Sequence, residues 1–257
     1  MRPFHSALIA ACALVAAGCT DGPTDPNLQV NTLAASLPSH SSLRGKLQSI
    51  VAETNGGLGF DMWATIVDRS GRVVDVVFSG DHRDDQWPGS RVISAQKANT
   101  ANAFSLEGFA LSSANLYAPV QPGGSLFGLQ ESNPVDPAVA YGGRAADFGT
   151  TRDFMIGKRI GGINVFGGGL ALYTTGGRLV GGIGLSGDTS CTDHIIAWKL
   201  RHALNLDNVP GGVGESNTDN IIFADATLDG FEHPKCDDAA VAIAEALPED
   251  FPVGPNP

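Results

Sequence analysis

Phe166–Arg201, FGGGLALYTTGGRLVGGIGLSGDTSCTDHIIAWKLR, reads as strand, tight turn, strand, glycine-rich corner and helix. Leu170–Thr174 and Leu179–Leu185 are short apolar runs separated by Thr175-Gly176-Gly177-Arg178. A Gly-Gly pair between two such runs signals a hairpin, because the favoured two-residue turns need positive φ at their centre. Ser186-Gly187-Asp188-Thr189-Ser190 then breaks the second strand. Ser190 and Asp193 form a capping-box-like helix start. The hydroxyl accepts from a free helix N–H, and the carboxylate sits at the positive end of the helix dipole. Ile196, Leu200, Ala203 and Leu204 then share one helical face. Gly167–Gly169, Gly181, Gly182, Gly184 and Gly187 leave these strands little side-chain bulk. Glycine weakens a strand interior, so its use here predicts close helix packing, a bulge, or the approach of a ligand. A dinucleotide-binding fingerprint is not formed, because the glycines do not open a helix in the right place.

The rest of the chain falls around this stretch. Residues 1–18 have the pattern of a targeting segment: Arg2, a short apolar run over Ala7–Ala17, then Ala16-Ala17-Gly18-Cys19 in the manner of a bacterial lipobox. The run is too short to span a bilayer permanently. We read 1–18 as a lipoprotein signal peptide and Cys19 as the lipidated residue; an ordinary secretory peptide with an incidental cysteine is the alternative. Thr20 is not the Asp of an inner-membrane retention signal, which points to the outer membrane, facing periplasm or cell surface, in a two-membrane cell. Residues 19–38 read as lipidated Cys and tether, 39–250 as a single domain, and 251–257 as a disordered tail, with Pro248 already starting the irregular stretch. Within the domain, 41–204 form the core and 205–250 an extension, with a strand expected at Asn220–Ala224.

Of 257 residues, 27 are acidic and 16 basic, a formal net charge of −11. Loss of residues 1–18 removes one arginine and no acid, so the remainder is slightly more acidic still. Without a basic cluster, nucleic acid is excluded as a partner class. Cys191 and Cys236 remain after the targeting segment, an even pair in an oxidising compartment. A disulfide between them would close a loop of about 45 residues, worth ~4 kcal/mol in the chain-entropy model; a thiol ligand or nucleophile is the alternative. The spacing further predicts a helix over Ser41–Thr54, strands at Phe60–Val67 and Arg72–Phe78 joined by Asp68-Arg69-Ser70-Gly71, and a helix from Ser90 to about Phe109. Ala95, Ala98, Ala101 and Phe104 make a small-residue stripe on that helix, with Lys97 and Thr100 beside it.

Three motifs in order carry a family resemblance: Asp68-x-x-Gly71 between strands, Ser94-Ala95-Gln96-Lys97-Ala98-Asn99-Thr100-Ala101, and GGLALYTTGGRLVGGIGLSG followed by Asp193 at a helix start. Together they resemble the GlcG/HbpS-like family over most of Ser41–Leu204. The resemblance implies an α+β domain, similar to the profilin-like architecture, with an antiparallel sheet of about five strands flanked by helices. Against the family pattern, Leu111–Asn164 is a long mid-chain insertion and the chain after Leu204 a C-terminal extension, which the disulfide would pin. Some members bind haem, others stand beside glycolate or diol metabolism, and oligomers are common, so a homo-oligomer is implied. Two positions depart from the family pattern: Leu170 replaces a usual proline, and His194 an acidic residue.

The ligand-binding set that follows is Lys97, Thr100, Gly168, Gly169, Ser186, Gly187, Asp193 and His194. Haem held non-covalently needs an apolar slot and an axial His, Met, Tyr or Cys. His40, His82, His194, His202 and His233 are the available histidines, and His194 is the candidate axial ligand. His194, Trp198 and His202 recur every four residues, and the outer two lie roughly 12 Å apart along a helix, able to flank a flat ligand or a subunit contact. A zinc site from His194, His233 and a carboxylate lacks ligand spacing. No G-x-S-x-G is present, and Lys97 reads as the ion-pair partner of a carboxylate such as Asp193 or, alternatively, as a buried amine nucleophile. The leading expectation is a lipid-anchored, extracytoplasmic protein that binds haem. An enzyme acting on a small hydroxy acid or aldehyde, with no catalytic residue assigned, and an oligomeric assembly module are the alternatives.

Overall fold

A computed structural model describes residues 36–37, 39–224 and 230–254. The targeting segment, Cys19 and nearly all of the tether lie outside them. The described elements are α1 (His40–Val51), β1 (Trp63–Asp68), β2 (Val73–Phe78), α2 (Ser90–Ala103), β3 (Gly169–Tyr173), β4 (Leu179–Ser186), α3 (Ser190–Ala203) and α4 (Asp238–Asp250). Between α2 and β3 run only single turns of helix, including Leu129–Ser132 and Pro137–Ala140. The class is α+β, and the sheet is antiparallel in the order β2-β1-β4-β3. Four strands, not five, make up this sheet.

Both expected hairpins form, each with a single glycine at positive φ; of the Gly176-Gly177 pair only Gly177 takes it. Asp68 Oδ1 accepts from the amides of Ser70 and Arg72, and Gly71 supplies the positive φ of the β1–β2 turn. Gly177 does the same between β3 and β4, its amide donating to Thr174 O. The helix starting at Ser90 ends at Ala103, six residues earlier than expected, because Ser105 leaves the helical path: its hydroxyl donates to Leu111 O and accepts from Leu111 N.

Side chains alternate across the sheet with the strand period of two. Ala64 and Ile66 of β1, Leu170 and Leu172 of β3, and Ile183 and Leu185 of β4 join Leu43, Leu47, Ile195, Trp198 and Leu200 in the larger core. Trp63 and Val67 face the opposite way, towards Val92, Ala95 and Ala98 of α2. On that second face β4 carries Gly182 and Gly184, and β3 carries Gly169, which pairs with Gly184 in the register. A Cβ at Gly184 would lie 2.0 Å from Ser94 O, at Gly182 2.4 Å from Ala98 O, and at Gly169 2.4 Å from Lys97 O. The backbone of α2 therefore rests directly on the sheet, and no side chain larger than hydrogen fits at these positions. Thr65 and Ser94 hydroxyls, 2.7 Å apart, close the same seam.

Each edge of the sheet is covered by one of the two additions to the core. Val73 of β2 exchanges backbone bonds with Lys158 O and Gly157 N from the insertion. Tyr173 of β3 donates its amide to Leu206 O from the extension. The insertion is further held by Arg91, whose guanidinium pairs with buried Asp153. The extension is held by Arg201 and Asp219, both fully buried, and by the Cys191–Cys236 disulfide. Two expectations for the extension fail. Asn220–Ala224 is no strand but makes one bridge, Phe223 to His233. The chain is not irregular from Pro248: α4 is capped by Asp237, buries Ala240, Ala244 and Leu247, and continues through Pro248 to Asp250. Phe251 and Val253, placed in the expected disordered tail, pack on the core.

Replacing Gly184 by alanine is expected to destabilise the fold by at least ~2 kcal/mol through overpacking, whereas Gly176→Ala, facing open space, leaves the thermal midpoint nearly unchanged. Equal midpoints for the two variants would show that α2 can move off the sheet.

Candidate ligand site at the start of α3

The N-cap of α3 is Thr189, one residue before the expected Ser190; its hydroxyl accepts from Thr192 N. Asp193, in the first turn, bends back over the corner. Its Oδ1 accepts from Gly187 N at 3.1 Å and Asp188 N at 3.0 Å. Its Oδ2 accepts from Lys97 Nζ, which arrives from α2 at 2.6 Å. Both side chains of this pair are buried, 2% and 3% exposed. Burial pushes the Asp193 carboxyl up to about 6, against the lowering effect of Lys97 and the Asp188 amide.

Gly167–Gly169 lie across the pair. Gly168 has φ +116°, and a Cβ there would stand 3.0 Å from Asp193 Cβ and 3.2 Å from Lys97 Nζ. Gly167 passes closer still to α3: a Cβ there would stand 2.3 Å from Ser190 O. Ser113, from the insertion, fixes the strip: its hydroxyl accepts from Gly169 N at 2.8 Å and donates to Phe166 O. Of the expected set, Lys97, Gly168, Gly169, Gly187 and Asp193 thus come together. Ser186 sits at the border, its hydroxyl 3.0 Å from that of Ser90. Thr100 does not face the pair; it donates to Gln96 O and accepts from Asn164 N, holding the end of the insertion.

His194 turns its ring away from the Lys97–Asp193 pair to Asn220 and Ile221 of the extension. It is fully buried, and its Nε2 lies 3.1 Å from Asn220 Oδ1. Asn220 Nδ2 donates to Ala244 O, and the Ile221 amide donates into the same pair, 3.2 Å from His194 Nε2 and 2.9 Å from Asn220 Oδ1. His194 Nδ1 has no partner among the described residues. Burial holds the imidazole down at about 3. The expected open strip of His194, Trp198 and His202 is covered by the extension: Trp198 Nε1 donates to Phe251 O, and His202 Nδ1 lies 2.7 Å from Asp207.

Sequence reasoning did not place Tyr117, Phe166 and His233 together. Their ring centroids lie 5.1 to 6.4 Å apart. His233 is 2% exposed, and burial, with a smaller contribution from the positive charge of Lys97, pushes its imidazole down to about 4. His233 was visible in the sequence beside Cys236, but Tyr117 lies in an insertion with no periodic signal. A cleft of about 730 Å³ is lined by Ala118, Pro119, Leu126 and Phe231, among others. Among the described residues no group of three or more His, Cys, Asp or Glu could hold a metal ion, so the His194–His233–carboxylate zinc arrangement is not formed. No described helix is long and apolar enough to cross a membrane.

The buried imidazoles set a pH dependence. Their folded values lie below the ordinary 6.5, so below about pH 6.5 the unfolded chain takes up protons that the folded chain refuses, and stability falls with pH. Asp193 works the other way: its folded value lies above 3.8, and it returns part of the loss as pH falls through about 6. Two histidines against one carboxyl leave a net loss of about 2 kcal/mol between pH 7 and pH 5, read as a lower urea midpoint. An unchanged midpoint would mean that the imidazoles charge within the fold.

The family model described as haem degrading protein HbpS-like matches residues 46–200. No curated protein matches the chain. Among solved structures, the Klebsiella pneumoniae protein ORFY is similar at 21% identity over 66% of this chain and 88% of that chain, with a TM-score of 0.43. A PduOC:heme complex is similar at 25% identity over 66% of this chain and 96% of that chain, with a TM-score of 0.44. Lys97, Gly168, Gly169, Gly187 and Asp193 all fall inside the matched segment, whereas His233 and Cys236 fall beyond it. With well over half of its residues matched by that model, the chain belongs to the HbpS-like family.

Proposed function

We propose that this chain is a lipid-anchored, extracytoplasmic protein whose domain binds haem non-covalently at the closed corner between α2, β3 and α3. One observation carries the reading. Residues of two of the family motifs, from α2, the start of β3 and the β4–α3 corner, converge on a single buried point at Lys97 and Asp193, with Phe166 beside the glycine strip and Tyr117 of the insertion against it. Family membership supports haem as the ligand class, since the family description names haem. The residues present fit the group in kind: Tyr117 and Phe166 offer flat apolar walls, and the site holds imidazole donors. When bound, haem would supply an iron centre. The chain's own contribution is to fix the ligand's place, to exclude water through the Gly167–Gly169 strip, and to keep a cation at Lys97.

The anchor reading rests on the Gly18-Cys19 junction, which lies outside the described residues. Cys19→Ala is expected to abolish fatty-acid labelling of the chain in a bacterial host and to release it from the membrane fraction. Unchanged labelling would remove the anchor.

For the ligand, a hemin titration of the purified full-length chain is expected to give a saturable Soret shift at about one haem per chain, since one such corner exists per protomer. A non-saturating titration would detach the family fold from haem in this protein. Bleaching of the bound Soret band by ascorbate in air would extend the reading from binding to breakdown.

A further inference from the structure

We propose that His233 Nε2, supplied by the C-terminal extension, is the atom of this protein that ligates the haem iron. The inference rests on the haem reading above and assigns the ligand to a residue outside the family-matched segment.

Four observations converge on this nitrogen. Its partner atom is committed: His233 Nδ1 lies 2.7 Å from Pro234 O. A carbonyl can only accept, so Nδ1 carries the hydrogen and Nε2 keeps its lone pair. That is the tautomer in which histidines bind iron, with the second ring nitrogen donating to a backbone carbonyl to orient the ring. Second, Nε2 is buried and has no hydrogen-bond partner among the described residues. A buried polar atom left unpaired in a native fold calls for a ligand or another function. Third, the imidazole stays neutral at physiological pH, since burial and nearby Lys97 both disfavour its charged form. Fourth, its ring stands with Tyr117 and Phe166, centroids 5.1 and 6.4 Å away, and Phe166 is 44% exposed. A flat apolar ligand finds aromatic faces there.

The backbone at His233 is held as a ligating residue requires. Its amide donates to Ile222 O at 2.7 Å, and its carbonyl accepts from Ala224 N. Three residues later Cys236 is bonded to Cys191 in the first turn of α3, two residues from Asp193. The large cleft is not lined by His233, Tyr117 or Phe166 themselves but by their neighbours along the chain. Its lining includes Ala118, which follows Tyr117, and Phe231, two residues before His233; Ala118 N donates to Glu232 O. At about 730 Å³ it lies within the range of cofactor pockets. His194 is the weaker candidate. Its Nε2 is engaged by Asn220 Oδ1 and the Ile221 amide, and Gly167 closes over its Cβ, where an added Cβ would stand 3.1 Å away.

The test compares the full-length chain with His233→Gly, His233→Gln and His194→Gln, each checked for native circular dichroism. Ferric haem is added, and the Soret band and electron paramagnetic resonance spectrum are read. The wild type and His194→Gln are expected to share one histidine-ligated spectrum. Both His233 variants are expected to lose it and to bind haem roughly tenfold more weakly or worse. Added imidazole should restore the spectrum in His233→Gly, where the missing ring leaves space, and not in His233→Gln. Wild-type spectra in both His233 variants, or no response of His233→Gly to imidazole, would overturn the assignment while leaving haem binding intact. Absence of saturable binding in the wild type is a separate result, which removes the haem reading itself.

Discussion

The structure depends on the contact between the backbone of α2 and the glycine patch of β3 and β4. Gly169, Gly182 and Gly184 face α2 where a Cβ would meet its backbone at 2.0 to 2.4 Å. A helix normally packs on a sheet through two layers of side chains. Here hydrogen atoms replace one layer, and α2 sits deeper. That depth brings Lys97 within reach of Asp193 on the far side of β4's end. It also lets Thr65 and Ser94 bond across the seam. The cost is borne in the strands, where glycine is intrinsically poor, and is offset by burial of the alanines at 95, 98 and 101.

Around this seam, three buried ion pairs tie the molecule together. Arg91–Asp153 joins α2 to the insertion, Lys97–Asp193 joins α2 to α3, and Arg201–Asp219 joins α3 to the extension. Such pairs contribute little net stability, because desolvation consumes most of the Coulomb gain. Their effect is on arrangement. A chain packed in the wrong register would leave one of these charges buried alone, at about 3–5 kcal/mol. The pairs therefore select one docking of insertion and extension on a core that is otherwise built from interchangeable aliphatic groups.

The two additions also close the corner. The insertion contributes Ser113 and Tyr117, the extension contributes His233 and Cys236, and the disulfide ties the second to the start of α3. The matched segment builds the charged floor of the site and carries Phe166 and, within the insertion, Tyr117; the unpaired imidazole nitrogen of His233 comes from the extension beyond it. A site assembled from a family core and chain-specific walls can keep one fold while changing what fits inside it.

Much of this was local in origin, and so legible in the sequence. The hairpins at Asp68–Gly71 and Thr174–Arg178 follow from turn chemistry, α1 and α3 from apolar spacing, and the pairing of Cys191 with Cys236 from an even count after the targeting segment. The Lys97–Asp193 pair was readable as a motif pair, and the glycine run as a place of close approach. What the sequence left open was set by contacts between distant segments. Alanine spacing in 238–250 gave too weak a local signal for α4, whose formation depends on burying Ala240, Ala244 and Leu247 against the core. Asn220–Ala224 has strand composition but no neighbouring strand to pair with, and so stays irregular. His194 looked available on a helical face until Asn220 and the extension covered it. His233, Tyr117 and Phe166 are separated by up to 116 residues and meet only because the disulfide and the edge of β3 bring the extension back over the corner. Local propensity determines which elements form; which polar atom is left facing a ligand is a property of packing, and only the tertiary structure decides it.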